Sequence, residues 1–198
     1  MRAPDWLHSS ITRIEQNERL SALADTLAQC SRPLAEGPLA PALRGDWLGH
    51  ALHPLLTDIP IGCWTSAFLL DLLGGRAARP AAQRLIGIGL LAVVPTAASG
   101  VVDWHDTDGD ERRRVGVVHA VSNTLAAGTY LLSWQARRRG HHGKGVLLGA
   151  LAGGAATVGG YLGGHLAFGR VTGVGERGID ELDPLPPEEH DLDGKIGA

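Results

Sequence analysis

Nine histidines occur in the 198 residues, and five of them stand at the edges of apolar blocks. His50 and His53 precede the first block, and His105 follows the second. His119 lies about five residues inside the third, and His165 about four residues before the end of the fourth. Neutral imidazole is the ligand shared by haem iron, zinc and copper. A haem needs two such rings on opposed sides. Asp58 and Asp103 lie near these histidines in the sequence, and Asn123 stands one helical turn beyond His119, where its amide can orient the ring. A single histidine at a helix end is ordinarily a hydrogen-bonded or headgroup-level residue. Four of them at four ends make ligation by some pair a competing explanation.

The elements that must position these rings are apolar and long. Residues 59–73 carry one ionisable group, Asp71, and residues 85–102 carry none. Residues 115–135 and 145–169 carry a single histidine each. Blocks of roughly 20 such residues can cross a bilayer as helices. The spans are expected at about 53–73, 85–102, 115–135 and 145–169. The class is all-α: an integral membrane four-helix bundle with an N-terminal amphipathic helix. Because successive spans alternate in direction, the starts of the first and third share a face with the ends of the second and fourth, where the histidines are. At ~1.5 Å per residue, His119 and His165 come to ~6 to 8 Å below that face and can meet. His53 and His105 form the alternative pair. Pro95 should kink the second span. Asp58, just before Pro60, reads either as an N-cap or as a chemical group. Asp71 is costly in lipid unless paired, with Arg76 or Arg84 the expected partner.

Three segments follow from composition: an amphipathic helix and linker over 1–46, the transmembrane domain over 47–169, and an acidic, poorly ordered tail over 170–198. Ile11, Ile14, Leu20, Leu23 and Leu27 recur at helical spacing among charges, which predicts one surface helix over 10–30. The proline-rich stretch 31–45 reads as linker. In the fourth span Gly149, Gly153, Thr157, Gly160 and Gly164 fall near one face, suited to close packing and to a homo-oligomer contact. The loops after the first and third spans hold Arg76, Arg79, Arg84 and Arg137, Arg138, Arg139, Lys144, which places them inside and both termini extracytoplasmic.

A net charge of -3 gives no footprint for nucleic acid. The start of the chain lacks the apolar core of a signal peptide, so no cleaved leader is expected. Cys30 and Cys63 lie too far apart in sequence to suggest a disulfide framework. The sequence contains no Cys-x-x-Cys-His, P-loop or nucleophile elbow.

The motifs Trp47-Leu48-Gly49-His50-Ala51-Leu52-His53-Pro54 and Asp58-Ile59-Pro60-Ile61-Gly62-Cys63-Trp64 lead into Ser99-Gly100-Val101-Val102-Asp103-Trp104. With His119, Asn123 and Gly163-Gly164-His165-Leu166, they resemble a bacterial family of predicted membrane proteins named only as a domain of unknown function. Ala51 stands where that family usually has proline. The resemblance implies a redox setting, because family members occur alone or fused to Rieske iron-sulfur or cytochrome c modules. Such a partner would here be a separate protein. Residues and resemblance together point to a membrane redox subunit, an electron-transfer or accessory component rather than a stand-alone enzyme. It would hold haem b, or else zinc or copper, through His119, His165, His53 and His105. Asn123, Asp58, Asp103 and His50 would stand behind them. The alternative is a cofactor-free or metal-stabilised scaffold for redox partners. A small channel or metal carrier ranks below both.

Overall fold

The computed structural model describes residues 4–168, and among these every regular element is helical. Four long helices, α4 (Leu52–Leu73), α5 (Arg79–His105), α6 (Asp110–Arg138) and α7 (His142–Phe168), form the bundle. All four are long and apolar enough to cross a membrane. They build two tight hairpins, α4 with α5 and α6 with α7, set side by side so that α5 meets α6 and α4 meets α7. The N-terminal segment is α1 (Asp5–Glu15), α2 (Arg19–Ala35), α3 (Ala40–Arg44) and a short 3-10 turn, Asp46–Leu48.

The spans match the expected blocks and extend past their polar ends. α5 starts at Arg79 rather than 85, because arginine can bury its stem while its head reaches the headgroups. α6 starts at Asp110 rather than 115, since Asp110 and Glu111 suit the positive N-terminal end of a helix. α5 runs unbroken through Pro95, where the next residue, Thr96, sets its hydroxyl 2.8 Å from the Ala92 carbonyl and 3.2 Å from that of Leu56. Asp58 and Pro60 do not open α4. The helix begins at Leu52, leaving Asp58 exposed inside it and Pro60 buried.

The single N-terminal helix expected over 10–30 is two. The chain breaks at Asn17, whose side-chain oxygen accepts from the Arg19 amide at 3.2 Å, a local bond that competes with helix. α2 then passes through Pro33 to Ala35, and α3 occupies part of the expected linker. Gly45, at φ 89°, turns the chain toward α4, and a side chain there would collide with the His50 carbonyl. The tail 170–198 lies outside the described residues.

Residue size is sorted as a membrane bundle requires. Leu91, Leu125, Leu132, Leu147, Leu151 and Val158 point outward, while Ala67, Ala82, Ser99, Ala126, Ser133 and Ala152 fill the interior. Among the larger buried residues, Trp64 and Tyr130 stack at 4.1 Å between ring centres in the middle of the bundle.

Candidate functional site

His53 sits in the first turn of α4. Its Nδ1 donates to the Thr96 carbonyl of α5 at 2.9 Å, and the Ser99 hydroxyl lies 3.5 Å from the same nitrogen. The edge of the ring rests on Gly100, where a Cβ would come within 2.6 Å of Cε1. His119, on α6, repeats this arrangement. Its Nδ1 donates to the Gly159 carbonyl of α7 at 2.8 Å, and its ring rests on Gly163, where a Cβ would come within 2.9 Å. The Asn123 amide lies 3.3 Å from the His119 ring nitrogens and donates to the His119 carbonyl at 2.9 Å.

The two rings face each other across the seam between the hairpins, 6.4 Å between centres and close to perpendicular at 83°. A carbonyl oxygen can only accept, so each Nδ1 carries a proton, and in the neutral ring the lone pair is then left on Nε2. Each ring is oriented by a backbone bond through Nδ1, as metal-ligating histidines commonly are. The described residues hold no group of three or more His, Cys, Asp or Glu side chains gathered as metal ligands. A pair of imidazoles is the donor set of six-coordinate haem iron, whereas structural zinc takes four protein ligands.

The pair that meets draws one member from each of the two expected pairs. His165 turns instead to the N-terminal segment, with Nε2 3.1 Å from the Glu15 carboxylate. His105 is half-buried at the end of α5. His50 lies beside the Ala51 carbonyl at 3.1 Å, and Asp103 is half-buried in the last turn of α5. Asn123 takes the place expected of it. Sequence reasoning missed the carbonyls of Thr96 and Gly159 and the glycines under the rings, although Gly100 and Gly163 lie in the resemblance motifs.

The N-terminal helices lie against this end of the bundle. Arg114 of α6 donates to the Glu15 carbonyl at 2.7 Å and to the Ser21 hydroxyl at 2.9 Å. Ile11 is buried against Val115 and Leu162. Arg44 pairs with Asp106 at 2.6 Å, and that hydrogen bond raises the guanidinium above its ordinary value.

At the opposite end Asp71 and Arg137 form a two-pronged ion pair, 2.8 and 2.6 Å, with side chains 6% and 1% exposed. Arg137, not Arg76 or Arg84, is therefore the partner of Asp71. It comes from the other hairpin and reaches farther into the bundle than the loop arginines do. The Ser133 hydroxyl, 3.3 Å from Arg137 Nε, donates to the Gly145 carbonyl at 2.6 Å and locks α6 to α7. Cys30 and Cys63 are separate free thiols. On α7, Gly149 and Gly153 face α6 as expected of a packing stripe, but Thr157 and Gly160 are exposed.

No curated protein and no solved structure matches this chain. The profile of one family, described as predicted membrane protein (DUF2231), matches residues 49–176, which span all four long helices and the histidine seam. The chain belongs to that family.

Proposed function

We propose that this protein is a membrane redox subunit that holds haem b between His53 and His119. The observation that carries the reading is the pair itself. Two imidazoles from different hairpins stand 6.4 Å apart, each anchored through Nδ1 to a carbonyl. Bound there, haem iron would supply one-electron transfer. The chain's own contribution is orientation: Thr96 and Gly159 fix the tautomers, and Asn123 steadies His119. Since the rings already meet edge to face, a macrocycle between them requires the two hairpins to part along their seam. His165 and His105 would stand outside the ligand set.

The test is a reduced-minus-oxidised absorption spectrum of detergent-purified protein from haem-replete cells, with iron measured on the same sample. A sharp α-band that His53→Ala or His119→Ala removes, and His165→Ala leaves, supports the reading. A colourless preparation without iron sinks it. Zinc or copper in its place would keep a metal centre but change the chemistry.

One observation favours a second reading, a cofactor-free scaffold for redox partners: both rings are already hydrogen-bonded and in mutual contact. A scaffold keeps its fold and its partners in His53→Ala, with no spectrum to lose. In either case the partner proposed is a separate Rieske or cytochrome c type protein. It would dock at the histidine face, and the basic loops at the other end favour an extracytoplasmic placement of that face. Arg137 counts less toward that orientation, being consumed by Asp71. Thiol labelling of cysteines placed in the loops 74–78 and 106–109 reads the orientation directly. The exposed Thr157 and Gly160 face of α7 is proposed as the contact of any homo-oligomer. Cross-linking of Gly160→Cys in membranes would reveal it, and its failure would remove this face from consideration.

A further inference from the structure

Three side-chain pairs that join α4 to α6 across the two hairpins share one sequence separation. His53 faces His119, Trp64 stacks on Tyr130, and Asp71 binds Arg137; each pair is 66 residues apart. A residue that touches its own equivalent lies on a twofold axis. Three such pairs at successive heights, about 16 Å and then about 10 Å apart along the helices, define a line through the whole bundle.

The partner helices repeat as well, at a separation of 63. His53 donates to the carbonyl of residue 96 and rests on Gly100, while His119 donates to that of residue 159 and rests on Gly163. α5 starts at residue 79 and α7 at 142, again 63 apart, so the second hairpin has the shorter turn. Burial follows the same register. From 53 to 67, fourteen of fifteen positions are as buried, half-buried or exposed as the position 66 residues later. From 82 to 100, sixteen of nineteen match the position 63 residues later. Helical periodicity alone would give two amphipathic helices similar patterns. It would not make equivalent residues touch at three heights, nor repeat the histidine, carbonyl and glycine arrangement.

We propose that α4–α5 and α6–α7 are two copies of one helical hairpin, related by a quasi-twofold axis along the bundle. The seam between them is then an interface of the homodimer kind enclosed in one chain. The two copies have diverged in side-chain identity. On the axis they remain identical at the imidazoles, similar at the aromatic pair and opposite in charge at Asp71 and Arg137. Parallel repeats about an axis normal to the membrane are a known architecture of membrane proteins. The inference holds with or without a cofactor, and it specifies that anything bound between the imidazoles meets one equal donor from each copy. The N-terminal helices break the symmetry, because they pack mainly against α5 and α6.

Equivalence is tested by exchange in the full chain. Asp71→Arg and Arg137→Asp, each alone, should cut the monodisperse yield in detergent at least about fivefold, since each buries like charges together. The double exchange should recover to within about twofold of the parent, because each position then holds what its equivalent held. The same exchange displaced by one residue, Asp71→Arg with Arg137→Leu and Ala136→Asp, should not recover. The exchange Trp64→Tyr with Tyr130→Trp should retain the near-ultraviolet dichroism of the stacked pair. A true exchange no better than the single changes, a displaced exchange as good as the true one, or loss of the aromatic signal would each overturn the proposal.

Discussion

The two ends of the hairpin seam use polar groups in opposite ways. At one end Asp71 and Arg137 form an ion pair held through both prongs and nearly removed from solvent. At the other, His53 and His119 are held by carbonyls through one nitrogen each and leave the second nitrogen with a lone pair. The first arrangement uses up its bonding capacity in holding the hairpins together. The second keeps some in reserve. A buried ion pair contributes little net stability over an apolar replacement, but losing one partner is expensive. The aspartate end therefore reads as a lock, and the histidine end is where the proposed cofactor would be held.

The largest expected effect lies at the lock. Asp71→Leu alone should cost about 3–5 kcal/mol by leaving Arg137 buried and unpaired, and Arg137→Leu should cost somewhat less because His142 Nε2 stays 3.8 Å from Asp71, whereas the double leucine variant should come close to the parent. Thermal unfolding in detergent measures both, and a single variant as stable as the double would erase the contrast between the two ends.

Next come the glycines beneath the imidazoles. Gly100→Leu and Gly163→Leu should each destabilise by about 1–3 kcal/mol, and by similar amounts, because each drives a side chain into a histidine ring. Denaturant midpoints would show it. A large cost at one and none at the other would mean that the two rings are not seated alike.

Asn123→Ala should cost about 1 kcal/mol, the usual worth of a hydrogen bond, and should disturb His119 while leaving Asp71 and Arg137 unaffected. Histidine nitrogen chemical shifts resolve the tautomer, and an unchanged His119 signal would remove Asn123 from its positioning role. The smallest effect belongs to Arg44→Ala, whose pair with Asp106 is a third or more exposed at both side chains and should contribute less than about 1 kcal/mol. Its salt dependence should also be slight, and a cost above that range would make the N-terminal segment a stronger clamp than surface electrostatics allow.

The sequence is legible where composition decides and opaque where rotation does. Four apolar blocks, their order and the gathering of histidines at one end all follow from lengths and alternation, and the fold shows them. Asn123 near His119 follows from helical spacing. Which histidines meet does not, because equal depth leaves each helix free to turn about its own axis. Packing sets that turn: His119 faces the seam, and His165 faces Glu15. The partner of Asp71 is not one of the neighbouring loop arginines but Arg137. The useful signal lay farther off, in the common spacing of His53, Trp64 and Asp71 with His119, Tyr130 and Arg137. In the N-terminal segment a single asparagine splits an otherwise continuous amphipathic pattern, since periodicity does not register a local side-chain bond at Asn17.

The clasp between the N-terminal helices and the bundle also carries a rule about order of assembly. Glu15 bonds Arg114, 99 residues later in the chain, and His165, 150 residues later. During synthesis residues 5–48 leave the ribosome before any of these partners exists. α2 and α3 can pack against α5 as soon as it is made, but α1 must wait for α6 and α7, against which Ile11 is buried and to which Glu15 bonds. The helix made first is the last to dock, so the seating of α1 marks completion of the whole bundle.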